Sequence, residues 1–336
     1  MDPRAHIAEF DRGRVRRRDG VYVASSAIEP ADIAPGACGR VSMRNIGLNG
    51  RMANQLLQWA FLNFYAWRHD LRIEAPDFPA ASLIGARPAA PADELPTIAY
   101  APFEDAAALA LWARATPFVD VDFDGYFQEL PACWAPHRAL FRKLLRFGAE
   151  AAADRWRAAI PGTLIAVHIR RGDLADPVHA SIPHFAPVPL EWYVAWVEAA
   201  MARAPGASLY VASDGRPDIL PAFAKWNPLA PAEFAADDRV ADLLALARAD
   251  ALGFGNSSYG RLAALIAADG QTHAVADFAA RALVPCDAWR ERSFWTRFGP
   301  VPGPVDADAR LAEGRARLAA RPWRKRVKSW LRRRGI

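Results

Sequence analysis

Residues 164–173 have the sequence LIAVHIRRGD, an apolar run that ends in two arginines, a glycine and an aspartate. The apolar, β-branched half predicts a buried strand, and the polar half falls where that strand ends. In an open α/β sheet, ligands bind beyond the carboxyl ends of the strands. Two guanidinium groups at that position can hold a phosphate or a diphosphate through forked hydrogen bonds. The plainer alternative is a strand end held by an Arg–Asp salt bridge.

Two further strands are predicted to end in small polar residues. The strand at 208–212 is followed by SDG (213–215), and the strand at 251–254 by GNSS (255–258), where a helix begins. Taken alone, the Asn and Ser residues before this helix favour an N-cap. Strands that alternate with helices predict a parallel sheet covered on both faces, and two such halves predict a two-domain α/β protein with a cleft.

The N-terminal half predicts a different set of elements. Residues 45–55, NIGLNGRMANQ, form a Gly-rich loop that opens into an apolar helix over 56–68. Such a loop offers backbone N–H groups to an anion, although an ordinary helix start is the better explanation of so short a motif taken alone. Residues 75–102 predict a loop-rich excursion, and residues 135–159 predict one helix. The alternation in 118–124, FVDVDFD, predicts a half-exposed strand that carries three aspartates.

The composition excludes several classes of protein. Of the 336 residues, 52% are hydrophobic and 24% are charged, which does not suggest disorder. Cys38, Cys133 and Cys286 lie far apart, which argues against a disulfide framework or a structural zinc site and favours a reducing compartment. The arginine-rich N-terminus lacks an apolar signal region, and no apolar run is long enough to span a membrane. We therefore expect a cytoplasmic protein.

The basic charge is concentrated at the C-terminus. The net charge is +5, but residues 321–336 hold eight basic residues and no acidic ones, which leaves −3 for the rest. Trp323, Val327, Trp330 and Leu331 fall on one helical face among these basic residues. This pattern predicts an amphipathic helix on the anionic inner face of the cytoplasmic membrane. A solvated terminus is the plain alternative, and nucleic-acid binding is not expected, since no recognisable module carries base-stacking aromatics.

Five segments together resemble the motifs of one family, the bacterial α-1,2-fucosyltransferases with their α-1,6 and protein O-fucosyltransferase relatives. The segments are HIRRGD (168–173) for His-x-Arg-Arg-x-Asp, GRMANQLLQWA (50–60) for Gly-x-x-Gly-Asn-Gln-x-x-Gln-Tyr-Ala, GYFQ (125–128) for Gly-Tyr-Phe-Gln, SD (213–214) for Ser-Asp-Asp, and NSS (256–258) for Asn-Ser-Ser-Phe-Ser. One such motif is weak, whereas five in the family's order are specific.

The resemblance implies a GT-B fold, in which two Rossmann-like domains face a cleft, with a basic C-terminal amphipathic helix added in this chain. It also implies an inverting, metal-independent glycosyltransferase without a cofactor. Such an enzyme would transfer L-fucose from GDP-fucose to a glycan or lipid-linked glycan during bacterial surface polysaccharide synthesis. The expected organisation is a lead-in over 1–40, an acceptor-side domain over 41–160, a nucleotide-sugar domain over 161–300 and a basic tail over 301–336. A different nucleotide sugar, or a non-catalytic relative that binds nucleotide sugars or glycans, remains an alternative.

The resemblance also implies roles for single residues. Arg170 would pair with the donor diphosphate, and His168 and Asp173 would complete the catalytic group. The donor would be bound by Arg170, Arg171, Ser213, Asp214, Asn256, Ser257, Ser258, Gly50, Asn54 and Gln55. The acceptor-side candidates are Asp124, Tyr126, Gln128 and Glu129. An arginine and a helix N-terminus can neutralise the charge that grows on a departing diphosphate without a metal. The general base stays open between Asp124, Glu129, His168 and Asp173.

The chain departs from the family's motifs at three places. Ala53 stands where the family has a glycine, Gly215 stands where it has a second aspartate, and Gly260-Arg261 replaces a serine and an aromatic residue. The first two positions bear on how closely a backbone approaches the ligand and on how the nucleoside is recognised.

Overall fold

A computed structural model describes residues 14–16, 22–24, 39–48, 50–99, 117–128, 134–172 and 187–289, together with 311–312, 315–316 and 319. The chain packs as two compact units, which divide between Leu144 and Leu145. Each unit has a parallel β-sheet of its own. The expected domain boundary after residue 160 stays a prediction.

The N-terminal unit contains a short antiparallel hairpin and a four-stranded sheet in which all neighbours are parallel. The strands are β1 (Arg14–Arg16), β2 (Tyr22–Ala24), β3 (Arg40–Ser42), β4 (Arg72–Glu74), β5 (Thr97–Ala99) and β6 (Val121–Asp124). The order of strands in the four-stranded sheet is β4-β3-β6-β5. Three of the four sheet strands have only three residues, which is too short a run to show a period of two.

Helix α1 (Met52–His69) follows the loop after β3 and forms much of the N-terminal core. It begins at Met52, four residues before the predicted start, and its residues are buried on almost every side, as its apolar sequence indicates. Aromatic rings hold it in place: Phe61 stacks on Phe127 with ring centroids 3.9 Å apart, and Phe64 stacks on Trp134. The helix ends where Asp70 adopts a left-handed conformation.

The C-terminal unit contains a five-stranded sheet of order β11-β10-β9-β7-β8, in which only β11 is antiparallel. All six residues of β7, which lies between β9 and β8 in this sheet, are buried. The strands are β7 (Leu164–Ile169), β8 (Ser208–Ser213), β9 (Ala251–Phe254), β10 (Thr272–Asp277) and β11 (Ala282–Cys286). Helices α4 (Leu190–Arg203), α5 (Arg216–Ile219), α6 (Asp238–Ala247) and α7 (Ser258–Ile266) alternate with them. The predicted α/β class with parallel sheets is confirmed.

Three local predictions were wrong. The single helix over 135–159 is instead a 3₁₀ turn followed by α2 (Arg138–Leu144) and α3 (Glu150–Ala158), separated by a segment that contains the exposed Gly148. The loop-rich excursion contains β5, and the strand predicted over 118–124 covers only β6. Among the residues that the structure describes, no helix has the length and apolar character needed to cross a membrane.

Candidate functional site

The carboxyl ends of β7, β8 and β9 lie side by side at one edge of the C-terminal sheet. Ile169 pairs in register with Ser213, and His168 pairs with Ala212 on one side and Phe254 on the other. The residues that follow these strands therefore meet at this edge, as expected for parallel neighbours. We call this group the arginine cluster; its members are His168, Arg170, Arg171, Ser213, Asp214, Asn256, Ser257 and Ser258.

Arg170 lies where the strand order of this sheet reverses. The chain passes from β7 to β8 on one side, whereas β9 lies on the other side of β7. Across that boundary, the Arg170 guanidinium donates a hydrogen bond to the backbone carbonyl of Asn256, with an N–O distance of 3.4 Å. Ligands of open α/β sheets bind at this kind of switch point. Arg170 is half-buried there, so solvent still reaches part of the residue.

Arg171 connects the ends of two strands through its backbone. Its N–H donates to Asp214 Oδ1 at 2.6 Å, and its guanidinium donates to the carbonyl of Val188 at 2.9 Å. Glycines make this close approach possible: a Cβ at Gly172 would lie 2.5 Å from Asp214 Oδ2, and one at Gly215 would lie 2.9 Å from Arg171 Cβ. The glycine at 215, one of the departures from the family's motif, therefore has a steric role here.

Ser257 caps helix α7 at this edge. Its hydroxyl oxygen accepts a hydrogen bond from the Tyr259 N–H at 3.2 Å, as in an ordinary N-cap. Asn256 and Ser257 are buried, whereas Ser258 is half-exposed at the first turn. The first turn of a helix leaves N–H groups that can bind an anion. The N-cap alternative is thus correct for Ser257, whose hydroxyl proton can still be donated to a ligand.

His168 is a neutral residue at neutral pH. Its side chain is buried, and the residue is 8% exposed. Burial lowers the pKa of His168 from its ordinary 6.5 to about 4; the Asp214 carboxylate opposes this shift, and the Arg170 guanidinium adds to it. Its ring packs 4.9 Å from the ring of Tyr259. In the part of the chain that the structure describes, Nδ1 has no hydrogen-bond partner.

The third departure, Gly260-Arg261, lies directly against this histidine. A Cβ at Gly260 would lie 2.7 Å from Phe254 Cβ and 3.2 Å from His168 Nδ1. Only a glycine leaves room for the ring at this turn of α7. Arg261 is 1% exposed, a degree of burial that is rare for an arginine. The motif comparison marked both residues as unusual, but nothing in the sequence indicated their burial.

The Gly-rich segment of the N-terminal unit holds its own loop together. Gly50 has φ +83°, and a Cβ there would lie 2.0 Å from Asn54 Nδ2, so only glycine fits. Gln55 Nε2 donates to the carbonyl of Gly50 at 3.2 Å, and Gln55 Oε1 accepts from the Ala80 N–H at 3.1 Å. Gln55 is buried by these contacts. The contacts of Gly50 and Gln55 hold this loop in place without a ligand.

A second polar group lies at the carboxyl edge of the N-terminal sheet. Asn45 Nδ2 donates to Asp124 Oδ2 at 3.0 Å, and Gln128 Nε2 donates to Asn54 Oδ1 at 2.6 Å. We call Asn45, Asn54, Asp124 and Gln128 the amide cluster. Tyr126 is half-buried in the same loop. The sequence analysis placed Asn45 at the start of the Gly-rich loop but gave it no role in a site.

Asp122 is a buried structural carboxylate, not a member of an exposed acidic row. It is 4% exposed because β6 runs between β3 and β5. Oδ1 accepts from the Ser42 hydroxyl at 2.6 Å and from the Arg44 N–H at 2.9 Å, while Oδ2 accepts from the Thr97 hydroxyl at 3.3 Å. Burial raises the pKa of Asp122, and these hydrogen bonds oppose the rise.

The predicted site residues thus form two groups, one in each unit. Asp173 and Glu129, and the amphipathic helix predicted over 321–336, lie outside the described residues. Within the described ranges, no three His, Cys, Asp or Glu side chains are grouped so as to hold a metal ion.

Comparison with known proteins gives structural neighbours only. No protein-family model matches the sequence, and no curated protein matches it significantly. The chain is similar to the NodZ α-1,6-fucosyltransferase soaked with GDP-fucose, at 15% identity and a TM-score of 0.49 over 74% of this chain and 99% of that one. It is similar to NodZ from Bradyrhizobium at 14% identity and a TM-score of 0.47, with the same coverage. POFUT1 in complex with GDP-fucose is 14% identical with a TM-score of 0.43, over 70% of this chain and 98% of that one.

Proposed function

We propose that the chain is a glycosyltransferase that transfers L-fucose from GDP-fucose to a hydroxyl group of a glycan. The observation that carries the proposal is the position of Arg170, whose guanidinium bonds to the Asn256 carbonyl at the switch point beside the N-terminus of α7. A guanidinium and free helix N–H groups are the donors that suit a diphosphate. The five motifs in family order support the choice of chemistry.

The chemistry follows from the charge that develops on the leaving group. As the bond between the anomeric carbon and the diphosphate oxygen breaks, the diphosphate gains negative charge. Arg170 and the first turn of α7 stabilise that charge without a metal. The acceptor oxygen attacks from the opposite face, so the anomeric configuration inverts. In this proposal the C-terminal unit binds the donor and the N-terminal unit binds the acceptor, as in a GT-B enzyme.

The identity of the donor nucleotide, guanosine diphosphate, is the most specific part of the proposal. Gly215 stands where the resemblance expects a second aspartate, so one carboxylate that could contact the nucleoside is missing from this loop. That difference favours a second candidate, a transferase that uses a different nucleotide sugar. A non-catalytic relative would bind the nucleotide sugar through the same cluster without transferring the sugar.

Donor binding by the wild type and Arg170→Ala tests the proposal. Isothermal titration with GDP, GDP-fucose, GDP-mannose and UDP-sugars identifies the nucleotide that the protein binds. Release of nucleoside diphosphate measures the rate of turnover. Loss of a charged hydrogen-bond donor should weaken GDP-fucose binding by about 1.5–3 kcal/mol. Arg203→Ala is the matched control, because Arg203 is exposed at the last turn of α4.

Each outcome separates the candidates. Binding of GDP-fucose that is lost in Arg170→Ala and kept in Arg203→Ala supports the proposal. A response to UDP-sugars alone identifies the second candidate. Binding without release of the diphosphate identifies the non-catalytic relative, and equal binding by both arginine variants contradicts the role of Arg170.

The basic tail supports a finer proposal about location. Residues 321–336 carry eight basic residues with two tryptophans, a composition suited to an anionic lipid surface. We propose peripheral attachment to the inner face of the cytoplasmic membrane, where lipid-linked glycans for surface polysaccharide are assembled. Deletion of 321–336 should abolish sedimentation with vesicles that contain phosphatidylglycerol. Equal sedimentation of the shortened chain would contradict attachment through the tail.

A further inference from the structure

We infer that Tyr193 is a positioning residue for donor binding: its hydroxyl group supports the loop after β9, so that the carbonyl of Asn256 holds the Arg170 guanidinium in place. The inference rests on the proposed glycosyl transfer, in which Arg170 binds the donor diphosphate. It adds a residue of α4, outside the five motifs, that acts through Arg170 and not on the ligand itself. It arises from the packing of helices against the two faces of β9.

Successive residues of β9 face helices on opposite sides of the C-terminal sheet, since side chains alternate between the two faces of a strand. A Cβ at Gly253 would lie 2.9 Å from the Trp196 ring of α4, whereas the Phe254 side chain lies against Gly260 of α7. A Cβ at Gly255 would again point to α4. Helices α4 and α7 therefore hold the carboxyl end of β9 from opposite sides.

The hydroxyl group of Tyr193 lies directly against the backbone of Gly255. A Cβ at Gly255 would overlap the hydroxyl oxygen and would lie 3.0 Å from Val188 Cγ2. Tyr193 and Val188 are both buried, so they belong to the packed interior on this side of the sheet. Because Gly255 directly precedes Asn256, the hydroxyl group fixes the backbone that leads to the Asn256 carbonyl.

The loop between β9 and α7 is a tight turn. The carbonyl of Gly255 accepts a hydrogen bond from the Ser257 N–H at 2.9 Å, which closes a three-residue turn of the γ type. Asn256 lies at the centre of this turn, and its carbonyl accepts from Arg170 at 3.4 Å. A shift of Gly255 therefore moves the Asn256 carbonyl, because only three residues form the turn.

Arg171 connects the segment before α4 to the same group. Its guanidinium donates to the carbonyl of Val188, which lies two residues before α4, at 2.9 Å. Burial raises the pKa of Tyr193, and the Arg171 guanidinium opposes this rise, so the phenol stays neutral and does not repel a diphosphate. The two adjacent arginines thus have different tasks: Arg170 reaches Asn256 before α7, and Arg171 fixes the start of α4.

The alternative is that the hydroxyl group touches the nucleotide sugar directly. Tyr193 is 1% exposed, and its oxygen lies against the backbone of Gly255. A group so fully covered by protein is better placed to support a loop than to reach a ligand. The two roles also predict different energetics, since a positioning residue has its effect only while Arg170 is present.

The test is a double-mutant cycle between Tyr193→Phe and Arg170→Ala, measured by titration with the nucleoside diphosphate, GDP or UDP, that the wild type binds. Tyr193→Phe removes only the hydroxyl group and should weaken binding about 3–10-fold, the equivalent of one net hydrogen bond. In Arg170→Ala the same substitution should change binding by less than about twofold, because the group that Tyr193 positions is gone.

Two results of the cycle would overturn the inference. Equal losses from Tyr193→Phe in the presence and absence of Arg170 would indicate a direct contact with the ligand. An affinity of Tyr193→Phe equal to that of the wild type would show that the hydroxyl group supports nothing that the ligand requires. If Arg170→Ala binds too weakly to be titrated, a reciprocal test at Gly255 decides.

Gly255→Ala tests the same contact from the other side. The new methyl group would overlap the Tyr193 hydroxyl, shift the loop and weaken binding of the diphosphate. Addition of Tyr193→Phe removes the overlapping oxygen and should recover part of the affinity that Gly255→Ala loses. A double variant that binds no better than Gly255→Ala alone would overturn the inference, since the hydroxyl group would then not govern the loop.

Tyr210→Phe is the matched control for a buried hydroxyl group in the same unit. Tyr210 accepts from the Ala232 N–H at 3.1 Å and bonds to Asp242, and it lies in β8, which β7 separates from β9. Its loss should lower the melting temperature and leave the diphosphate affinity unchanged. A loss of affinity as large as that in Tyr193→Phe would mean that any lost packing weakens binding, which overturns the inference alone. A wild type that binds no nucleoside diphosphate would overturn the proposed function and the inference with it.

Discussion

The backbone N–H of Arg171 donates a hydrogen bond to Asp214 Oδ1 at 2.6 Å, and this contact joins the loops that follow β7 and β8. The Asp214 carboxylate is exposed on its other side, so it can hold the first loop and meet a ligand at the same time. With the Arg170 bond to the Asn256 carbonyl, the three loops at the edge of the C-terminal sheet are connected by hydrogen bonds. Preorganised donors of this kind lose little energy to rearrangement when a ligand binds.

Asp214→Ala should weaken nucleotide binding more than it weakens the fold. Water can replace the carboxylate at the exposed Arg171 N–H, so the free energy of unfolding should fall by only about 0.5–1.5 kcal/mol. GDP binding should weaken by about 1.5–3 kcal/mol, the usual loss for a hydrogen bond to a charged group. Calorimetric titration and thermal unfolding measure the two effects. Asp218→Ala, an exposed aspartate in α5, is the control, and an equal loss of affinity there would argue against a specific role for Asp214.

Gly260→Ala should destabilise the C-terminal unit. The new methyl group would lie 2.7 Å from Phe254 Cβ, where neither backbone can yield without moving α7 or β9. Overpacking of this kind costs about 1–3 kcal/mol. Gly148→Ala, which has open space around it, should be neutral or stabilise by up to about 1 kcal/mol. Urea unfolding of both variants checks the contrast, and two equal midpoints would contradict the close packing of His168 against α7.

His168 should make the fold weaken as the pH falls. In the unfolded chain its pKa is near 6.5, whereas burial lowers the pKa of the folded residue to about 4. The unfolded state therefore binds the proton first, and the free energy of unfolding decreases as the pH falls from 6.5 towards 4. His168 should account for about 2 kcal/mol between pH 7 and pH 5. Urea unfolding at both pH values should show a smaller difference for His168→Gln, and an identical difference would contradict a buried, neutral histidine.

The C-terminal sheet was largely predictable because its central strands are long and buried. A run such as 164–169 remains recognisable as a strand even though all six of its residues are buried and it shows no alternation. The residues beyond β7, β8 and β9 could be grouped in advance, since parallel strands bring their carboxyl ends to one edge. The motif order then indicated which of these polar residues to place together.

The N-terminal unit was harder to predict for two physical reasons. Strands of three residues are defined by their neighbours in the sheet, and no such neighbour is visible in the local sequence. The local sequence also does not show which polar side chains will form hydrogen bonds inside the fold. Asp122 and Gln55 do so, whereas Asp124 lies at the carboxyl edge of the sheet. Asn45 could not be identified because its partner lies 79 residues away.

Asp122→Ala should destabilise the N-terminal unit. The change leaves the Ser42 hydroxyl and the Arg44 N–H without their buried acceptor, at a cost of about 1–3 kcal/mol. Asp122→Asn should cost less, because its carbonyl oxygen can still accept from Ser42 and the Thr97 hydroxyl can turn to accept from the new amide. Thermal unfolding should therefore rank the wild type above Asp122→Asn and Asp122→Ala last. Diphosphate release by the folded fraction of Asp122→Asn should stay near that of the wild type, because Asp122 is buried and is used within the fold. Equal melting temperatures for the wild type and Asp122→Ala would contradict this structural role.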